Sequence, residues 1–224
     1  MNRAIVIMAK RPEAGRTKTR LCPPLTLEDS AELYAAFLQD TVDHVRSLPN
    51  ITPCIAYAPA DAEPFFHKLA PDFLLIPQTG STLGDRLNNV INHCLEAGFD
   101  QVAPINSDSP NLPTAYFTNA FEQLSKQSVD VVLGPCEDGG YYLIGVKASH
   151  PPLVRDVEMS TPYVLRDTLT IAKQLGLRVQ LCESWYDVDS AQELERLKNN
   201  LKTTPDYCPN TWQALSPRTV ETPR

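Results

Sequence analysis

Glycine is scarce in this chain, with nine glycines among 224 residues. In the loop after the first apolar run the only glycine is Gly15, so neither G-x-G-x-x-G nor G-x-x-x-x-G-K-[ST] occurs there. Both glycine-rich phosphate cradles are therefore excluded. Cysteine is also sparse: the closest two, Cys182 and Cys208, are 26 residues apart. That spacing excludes a C-x-x-C zinc or redox motif.

Long apolar runs are missing as well. No stretch approaches the ~20 apolar residues of a membrane-spanning helix. The first apolar run, 4–9, is too short for the core of a signal peptide and ends in Lys10 and Arg11. We therefore expect a cytoplasmic protein with reduced, mostly buried thiols and no membrane span.

Basic residues are in the minority, with 20 lysines and arginines against 27 acids and a formal net charge of −7. This balance argues against a nucleic-acid-binding protein, which needs a clustered basic surface. Five basic residues nevertheless fall within residues 10–20, beside a single acid: Lys10, Arg11, Arg16, Lys18 and Arg20. One basic loop on an acidic protein indicates a small anionic ligand.

Short apolar runs alternate with helical periodicity along the chain. The runs predict strands at 4–8, 53–57, 73–76, 101–105, 129–133, 141–146 and 177–181. Strand–helix alternation predicts a single-domain, Rossmann-like α/β three-layer sandwich with a mostly parallel sheet over residues 1–201. Residues 202–224 are polar and contain four prolines, and we expect them to form a mobile tail with Trp212 docked on the body.

Ligands of such sheets bind at the carboxyl ends of the strands. After the first strand, Arg16, Lys18 and Arg20 alternate along the chain, which in an extended loop puts all three on one side. Arginine and lysine are the usual partners of phosphate. The position after a strand favours phosphate binding over the alternative, a solvated basic loop.

Acids follow two other strands. Asp108, in Asn-Ser-Asp-Ser-Pro, is placed to hold Mg²⁺ or Mn²⁺ or, alternatively, to form a turn before the next helix. Asp187 and Asp189 are spaced to point to one side and complete a metal site with Asp108. Their alternative role is electrostatic, at the N-terminus of the helix that Ser190 caps.

A third loop contains Glu137 and Asp138 before the paired Gly139 and Gly140. Such acids are candidates for a general base or for binding a sugar hydroxyl. The alternative is a plain hairpin, for which Asp-Gly is a strong signal. A weaker segment, 78–86, opens a helix, and its amides are placed to bind a base, sugar or phosphate, or else form a turn.

Five segments in this order resemble one known family: PEAGRTKTRL, GSTLGDRL, NSDSP, GPCEDGGYYLIG and YDVDSAQEL. It is the bacterial DUF2064 family of GT-A-like nucleotide-diphospho-sugar transferases, whose members include glycosyltransferases of arsenosugar-biosynthesis and radical-SAM-associated types. The resemblance covers about residues 3–200. The chain departs from related patterns in having Asn106 where glycine is common, and 191–193 (Ala-Gln-Glu) where nucleotidylyltransferases have Pro-Glu-Asp.

The resemblance implies a metal-dependent glycosyltransferase that moves a sugar from a nucleotide-diphospho-sugar to a small acceptor. It implies metal ligands at Asp108 and Asp189, and leaves Asp138 or Glu137 as the candidate base. The predicted donor-binding residues are Arg11, Gly15, Arg16, Lys18, Arg20, Gly84, Arg86, Gly139 and Gly140. Two alternatives stay open: a nucleotidylyltransferase that releases pyrophosphate, and a non-catalytic nucleotide-binding protein.

Overall fold

The first strand, β1, spans Arg3–Lys10 and explains why its sequence is continuously apolar. Ile5 and Ile7 face one core, whereas Ala4 and Val6 face the other, and all four are fully buried. A strand covered on both faces cannot alternate polar and apolar residues. The computed structural model that shows this describes residues 1–216.

Seven strands and eight helices make up the described part of the chain. The other strands are β2 Thr52–Ala58, β3 Leu74–Pro77, β4 Gln101–Ile105, β5 Val131–Pro135, β6 Tyr141–Val146 and β7 Val179–Leu181. The helices are α1 Leu27–Arg46, α2 Glu63–Leu69, α3 Leu83–Glu96, α4 Thr114–Leu124, α5 Pro152–Arg155, α6 Val164–Gln174, α7 Ala191–Leu201 and α8 Pro209–Leu215. Short 3₁₀ helices lie at Thr19–Leu21, Ala60–Ala62 and Pro205–Tyr207. None of the described helices combines the length and apolarity needed to cross a membrane.

The strands form one sheet in the order β3-β2-β1-β4-β6-β5-β7. Every pairing is parallel except those of β6, which runs antiparallel to β4 and β5. The reversal follows from the short 136–140 connection, which has room for a hairpin and not for a crossover helix. The predicted three-layer α/β fold is confirmed. Because β6 is reversed, its first residues lie at the same sheet edge as the carboxyl ends of the parallel strands.

Capping boxes set the starts of three helices at this edge. Thr26 and Asp29 cap α1, Thr82 and Asp85 cap α3, and Ser190 and Glu193 cap α7. These caps fix where the loops after β1 and β7 must end. The two loops contact each other through Lys18 and Asp189.

The C-terminal segment is packed on the body through residue 216 and is not the expected mobile tail, whereas Trp212 packs against the core as predicted. The helix α8 packs on α1, and Cys208 and Thr211 are completely buried. The buried carboxylate of Asp40 on α1 accepts hydrogen bonds from the backbone amides of Asn210, at 3.1 Å, and Thr211, at 2.7 Å. These bonds satisfy amides that the start of a helix otherwise leaves unpaired. The tail prediction for 217–224 lies outside the described residues, and a domain boundary at residue 201 stays a prediction.

Candidate active site

A cavity of about 780 Å³ opens at the carboxyl edge of the sheet. Its walls are the end of β1 and the loop after it, the loop after β4, the β5–β6 hairpin, the start of α3, and segment 159–164. Asp187 and Asp189, after β7, complete the lining. The volume lies within the usual range for small-molecule sites.

Lys18 bridges two of the predicted metal-binding carboxylates. Its Nζ donates to Asp108 Oδ1 at 2.5 Å, to Asp189 Oδ1 at 2.8 Å and to the carbonyl of Val188 at 2.9 Å. The Lys18 side chain is only 4% exposed. The three ammonium donors are therefore all used within the protein.

The backbone explains why Lys18 turns inward. The amides of Arg16 and Thr17 both donate to the carbonyl of Glu13, so a tight turn replaces the extended loop expected from the sequence. Lys18 itself has φ 49°, in the left-handed region, and a 3₁₀ helix follows that buries Leu21. The expected extended loop is therefore wrong, although Arg16, Lys18 and Arg20 still line one cavity.

Arg16 and Arg20 line the cavity mouth instead, with side chains 75% and 77% exposed. Arg20 Nη1 lies 3.7 Å from Asp189 Oδ2, and Arg16 Nη1 lies 3.3 Å from Glu13 Oε2. Both guanidinium groups remain accessible to an anion entering the cavity. Arg11, by contrast, pairs with Glu13 and Asp61 and does not line the cavity.

Charge and burial act on the Lys18 pKa in opposite directions. Burial lowers it, but the charges and hydrogen bonds of Asp108 and Asp189 raise it by more, and the net result is a pKa above the ordinary lysine value. The ammonium therefore stays protonated throughout the neutral range.

The Asp108 loop is tied to both neighbouring elements. The hydroxyl groups of Ser107 and Tyr34 are 2.8 Å apart, and Ser107 Oγ also donates to the Met8 carbonyl at 3.0 Å. The Val188 amide donates to the Asp108 carbonyl at 3.0 Å. Asp108 is thus held by bonds to β1, α1 and the loop after β7.

Asp187 does not share the direction of Asp189, contrary to the expectation from their spacing. Asp187 is half-buried, and its Oδ1 accepts from Ser109 Oγ at 2.6 Å and from Asn106 Nδ2 at 2.7 Å. Burial, with the nearby charge of Asp108, raises the pKa of Asp187 to about 6. Asp187 therefore ties the loops after β4 and β7 together, and the polar loop residue Asn106 contributes to this bond.

Cys136 is a neighbour of Asp187 that sequence reasoning missed. Candidate ligand atoms of Cys136, Asp138 and Asp187 lie within 4.8 Å of one another. Burial and the adjacent Asp187 charge raise the pKa of the Cys136 thiol, which donates to Asp187 Oδ1 at 3.3 Å. A protonated thiol is a poor metal ligand. Its burial between hairpin and loop has no signal in the sequence, since no second cysteine or histidine lies near it.

The hairpin is real, and its tip also lines the cavity. Asp138 faces the cavity and accepts from the Gly140 amide at 2.9 Å. Glu137 lies outside the cavity, where both its oxygens accept from Arg196, at 2.7 and 3.1 Å. Gly139 has φ +92°, and a Cβ there would lie 2.1 Å from the Pro162 carbonyl oxygen. Gly139 is therefore required by packing.

On the β3 side, Arg86 and Gln78 line the cavity. Gln78 Nε2 donates to the carbonyls of Ala56, at 2.7 Å, and Ala9, at 3.2 Å. Gly84 does not line the cavity, because it packs where a Cβ would lie 2.1 Å from the Val154 carbonyl oxygen. Of the predicted donor-binding residues, Arg16, Lys18, Arg20, Arg86 and Gly140 line the cavity, while Arg11, Gly15, Gly84 and Gly139 do not.

Solved structures with the same fold define the class. A protein of Desulfovibrio desulfuricans G20, provisionally assigned as a nucleotide-diphospho-sugar transferase, is 29% identical with a TM-score of 0.89, over 96% of this chain and 94% of that one. CMP:2-keto-3-deoxy-manno-octonic acid synthetase complexed with CTP is 12% identical, with a TM-score of 0.60 over 91% and 99%. Glucosyl-3-phosphoglycerate synthase of Mycobacterium tuberculosis, in complex with Mn²⁺, UDP and glucosyl-3-phosphoglycerate, is 11% identical, with a TM-score of 0.54 over 93% and 80%. This chain has the fold shared by these nucleotide-using transferases.

The family follows from the sequence comparison. Residues 41–161 match the family DUF2064, described as an uncharacterized protein conserved in bacteria. The match spans more than half of the chain, so the chain belongs to DUF2064, as its five segments predict. Among curated proteins, none matches the sequence.

Proposed function

We propose that this protein is a metal-dependent glycosyltransferase that moves a sugar from a nucleotide-diphospho-sugar to a small acceptor. The observation that carries the proposal is the convergence of Asp108 and Asp189 on one cation position beside a basic loop. Two carboxylates at one point, next to exposed guanidinium groups, suit a cation bound to a diphosphate. The provisional assignment of the D. desulfuricans relative supports the same donor class.

The carboxylate positions fit a divalent cation. Asp108 Oδ1 and Asp189 Oδ1 both contact the single ammonium nitrogen of Lys18, so their oxygens already surround a cation-sized position. Hard oxygen ligands of this kind suit Mg²⁺ or Mn²⁺, with substrate phosphate completing the coordination. A bound divalent cation would neutralise charge that develops on the departing nucleoside diphosphate. The M. tuberculosis enzyme, with the same fold, is a complex with Mn²⁺ and UDP.

Lys18 Nζ occupies that position in the described structure. We infer that Lys18 leaves the carboxylates when a divalent cation binds and then pairs with a donor phosphate. Arg16 and Arg20 at the mouth bind the same phosphates from the solvent side. Fixed cations aimed at the leaving group stabilise its charge without reorganisation during the reaction.

Asp138 is the candidate general base. It lines the cavity, and its backbone partner at Gly140 holds the carboxylate at the hairpin tip. In the proposed step, the acceptor hydroxyl gives its proton to Asp138, its oxygen bonds to the anomeric carbon, and the bond from that carbon to phosphate breaks. The electron pair leaves with the nucleoside diphosphate. Glu137 is not proposed for this role, because Arg196 holds both of its oxygens outside the cavity.

Donor turnover tests the proposal. Purified protein is incubated with nucleotide sugars and Mn²⁺, and nucleoside diphosphate release is measured, with water as the default acceptor. Asp108→Asn is expected to lower release at least ~100-fold, the order expected for loss of a major electrostatic contribution. Asp167→Asn is the matched control, since Asp167 is a partly exposed acid that pairs with Arg166 and does not line the cavity. Full activity of Asp108→Asn would contradict the site assignment.

Nucleotidyl transfer is the second candidate, and one observation favours it. Five cations line the cavity, enough to match a nucleoside triphosphate: Lys10, Arg16, Lys18, Arg20 and Arg86. The two reactions give different products. Nucleoside triphosphates that yield pyrophosphate would establish nucleotidyl transfer, whereas nucleotide sugars that yield nucleoside diphosphate would establish glycosyl transfer. Metal-independent nucleotide binding without turnover of either donor would indicate a non-catalytic binding protein.

A further inference from the structure

Charge is distributed unevenly between the two halves of the cavity. The five lining cations come from the end of β1, the loop after it, and the start of α3, which is the β3-β2-β1 side. The opposite side consists of the β5–β6 hairpin and segment 159–164. Among the lining residues of that side, all within 1–216, there is no lysine, arginine or histidine.

Three arginines of α5, α6 and α7 are held by carboxylates outside this wall. Arg166 lies over the ring of Tyr163, 4.2 Å from its centroid, and donates to Asp167 at 2.9 Å. Arg155 donates to Asp85 at 3.1 Å. Arg196 is held by Glu137, as described above. Each of these guanidinium groups already has a carboxylate partner, and none lines the cavity.

The wall itself combines apolar groups with hydroxyls and acid. Met159, Pro162 and Val164 supply apolar surface, and Ser160 supplies an exposed hydroxyl. The hydroxyl of Thr161 is already engaged, since it donates to the Glu158 carbonyl and accepts from the Tyr163 amide. The hairpin contributes one carboxylate to this side, Asp138, and the loop after β7 contributes Asp187 next to it. Tyr141 and Tyr142 of β6 also line this side.

We propose that the acceptor is an uncharged alcohol with an apolar face, carrying neither phosphate nor carboxylate. This inference rests on the proposed glycosyl transfer and specifies its second substrate. A phosphorylated or carboxylated acceptor would enter a partly buried wall that offers acids and no counter-charge, which carries a large desolvation cost. An alcohol needs only a hydrogen-bond acceptor for its hydroxyl, which Asp138 provides, and apolar contact for its carbon skeleton.

The same wall disfavours nucleotidyl transfer to a phosphorylated small molecule. In that reaction the attacking group is itself an anion, so the acceptor side would need cations of its own. The cations of this cavity all lie on the donor side. A preference for uncharged over charged acceptors would therefore favour glycosyl transfer over nucleotidyl transfer, whichever donor is used.

Matched acceptor pairs test the inference. With a nucleotide sugar that the protein hydrolyses, release of nucleoside diphosphate is measured with glycerol against glycerol 3-phosphate, and with methyl glucoside against glucose 6-phosphate. Products are identified by mass. The uncharged member of each pair is expected to raise release above the hydrolysis rate, with kcat/KM at least ~10-fold above that of its phosphate.

A charge-insertion variant gives a second readout. Met159→Lys places a cation in the acceptor wall, and Met159→Gln is the neutral control of similar length. Met159→Lys is expected to lower the KM for glycerol 3-phosphate at least ~5-fold relative to Met159→Gln. Each variant's transfer rates, from which the KM is obtained, are first divided by its own rate of donor hydrolysis.

The outcomes separate this inference from the proposed function. Sugar transfer to the phosphorylated members in preference to the uncharged ones overturns the inference and leaves glycosyl transfer intact. Donor hydrolysis that no alcohol of the panel stimulates, even at molar concentration, also counts against the inference. Pyrophosphate release from a triphosphate with a phosphorylated acceptor overturns both.

Discussion

Replacing Lys18 with methionine tests the inference that the Lys18 ammonium sits between Asp108 and Asp189 until a divalent cation displaces it. Met keeps the length and apolar stem of lysine but removes the ammonium that contacts Asp108 and Asp189. Removing one partner of a buried ion pair costs about 3–5 kcal/mol, because the remaining charge is left uncompensated. The carboxylates are 37% and 41% exposed, so solvent screens them, and we expect a loss of about 3 kcal/mol in the free energy of unfolding.

Affinity for Mn²⁺ is expected to change in the opposite direction. In the wild type a divalent cation must first displace the Lys18 ammonium, whose attraction to Asp189 across 2.8 Å is about 6 kcal/mol at an effective dielectric constant of 20. Part of that energy returns when the freed ammonium is hydrated. A net gain of about 2 kcal/mol in Lys18→Met corresponds to a Kd for Mn²⁺ tighter by roughly 30-fold.

Two assays without nucleotide measure these effects. Electron paramagnetic resonance of free Mn²⁺ gives the Kd, and urea unfolding with and without Mn²⁺ gives stability. Saturating Mn²⁺ is expected to restore most of the stability lost by Lys18→Met, since binding to the native state adds RT ln(1 + [L]/Kd). Lys10→Met is the control, because Lys10 also lines the cavity but bonds to neither carboxylate in the described structure.

The reasoning would be refuted if Lys18→Met bound Mn²⁺ no more tightly than the wild type and Lys10→Met. A second readout concerns the donor: Lys18→Met is expected to weaken nucleotide-sugar binding in Mn²⁺, because its ammonium can no longer pair with phosphate. Tighter metal binding together with weaker donor binding is a combination that simple misfolding would not produce.

Three further predictions concern stability. Asp40→Ala leaves the first amides of α8 unpaired and is expected to destabilise the protein by about 2 kcal/mol in urea unfolding, whereas an unchanged midpoint would show that α8 docking does not depend on this cap. Gly139→Ala forces a side chain into positive φ and against the Pro162 carbonyl, so we expect the free energy of unfolding to fall by about 3 kcal/mol. Thermal unfolding measures this, and an unchanged Tm would contradict the packing argument. The Arg178 guanidinium lowers the pKa of Asp130 well below its ordinary value, so this pair stabilises the fold above the unfolded-state pKa of about 4 and the contribution fades as the pH falls through the folded-state pKa. Asp130→Asn is therefore expected to cost about 1 kcal/mol at pH 7, with a difference from wild type that shrinks below about pH 4; a difference independent of pH would exclude an ionic origin.

Some features of the site follow from local sequence, and others do not. The placement of Asp108 directly after β4 is predictable, because the apolar run before it ends at a definite residue. The separation of Asp187 from Asp189 is not. An i, i+2 spacing predicts a common direction only in a strand, and residues 187 and 189 lie in a loop whose path is set by bonds to Asn106, Ser109 and Lys18.

Glu137 and Asp138 illustrate the same limit. As neighbours in a turn they are equal candidates for the base. The structure separates them, because Arg196 of α7, 59 residues after Glu137, holds Glu137 outside the cavity. The charge of a loop can be read from sequence, whereas the choice between two adjacent acids depends on a distant partner.

The sequence by itself determined the strand and helix order, the capping boxes, the family and the sheet edge where chemistry-bearing residues collect. These depend on periodicity and short motifs, which are local. Only the tertiary structure decided that Lys18 faces inward and meets Asp189, 171 residues away, between the carboxylates expected to hold a metal. It also decided that, among the described residues, the lining cations lie in one half of the cavity together with Asp108 and Asp189, while the other half has acids and no cation. The direction of a side chain depends on packing between distant segments, and no local pattern in the chain specifies that packing.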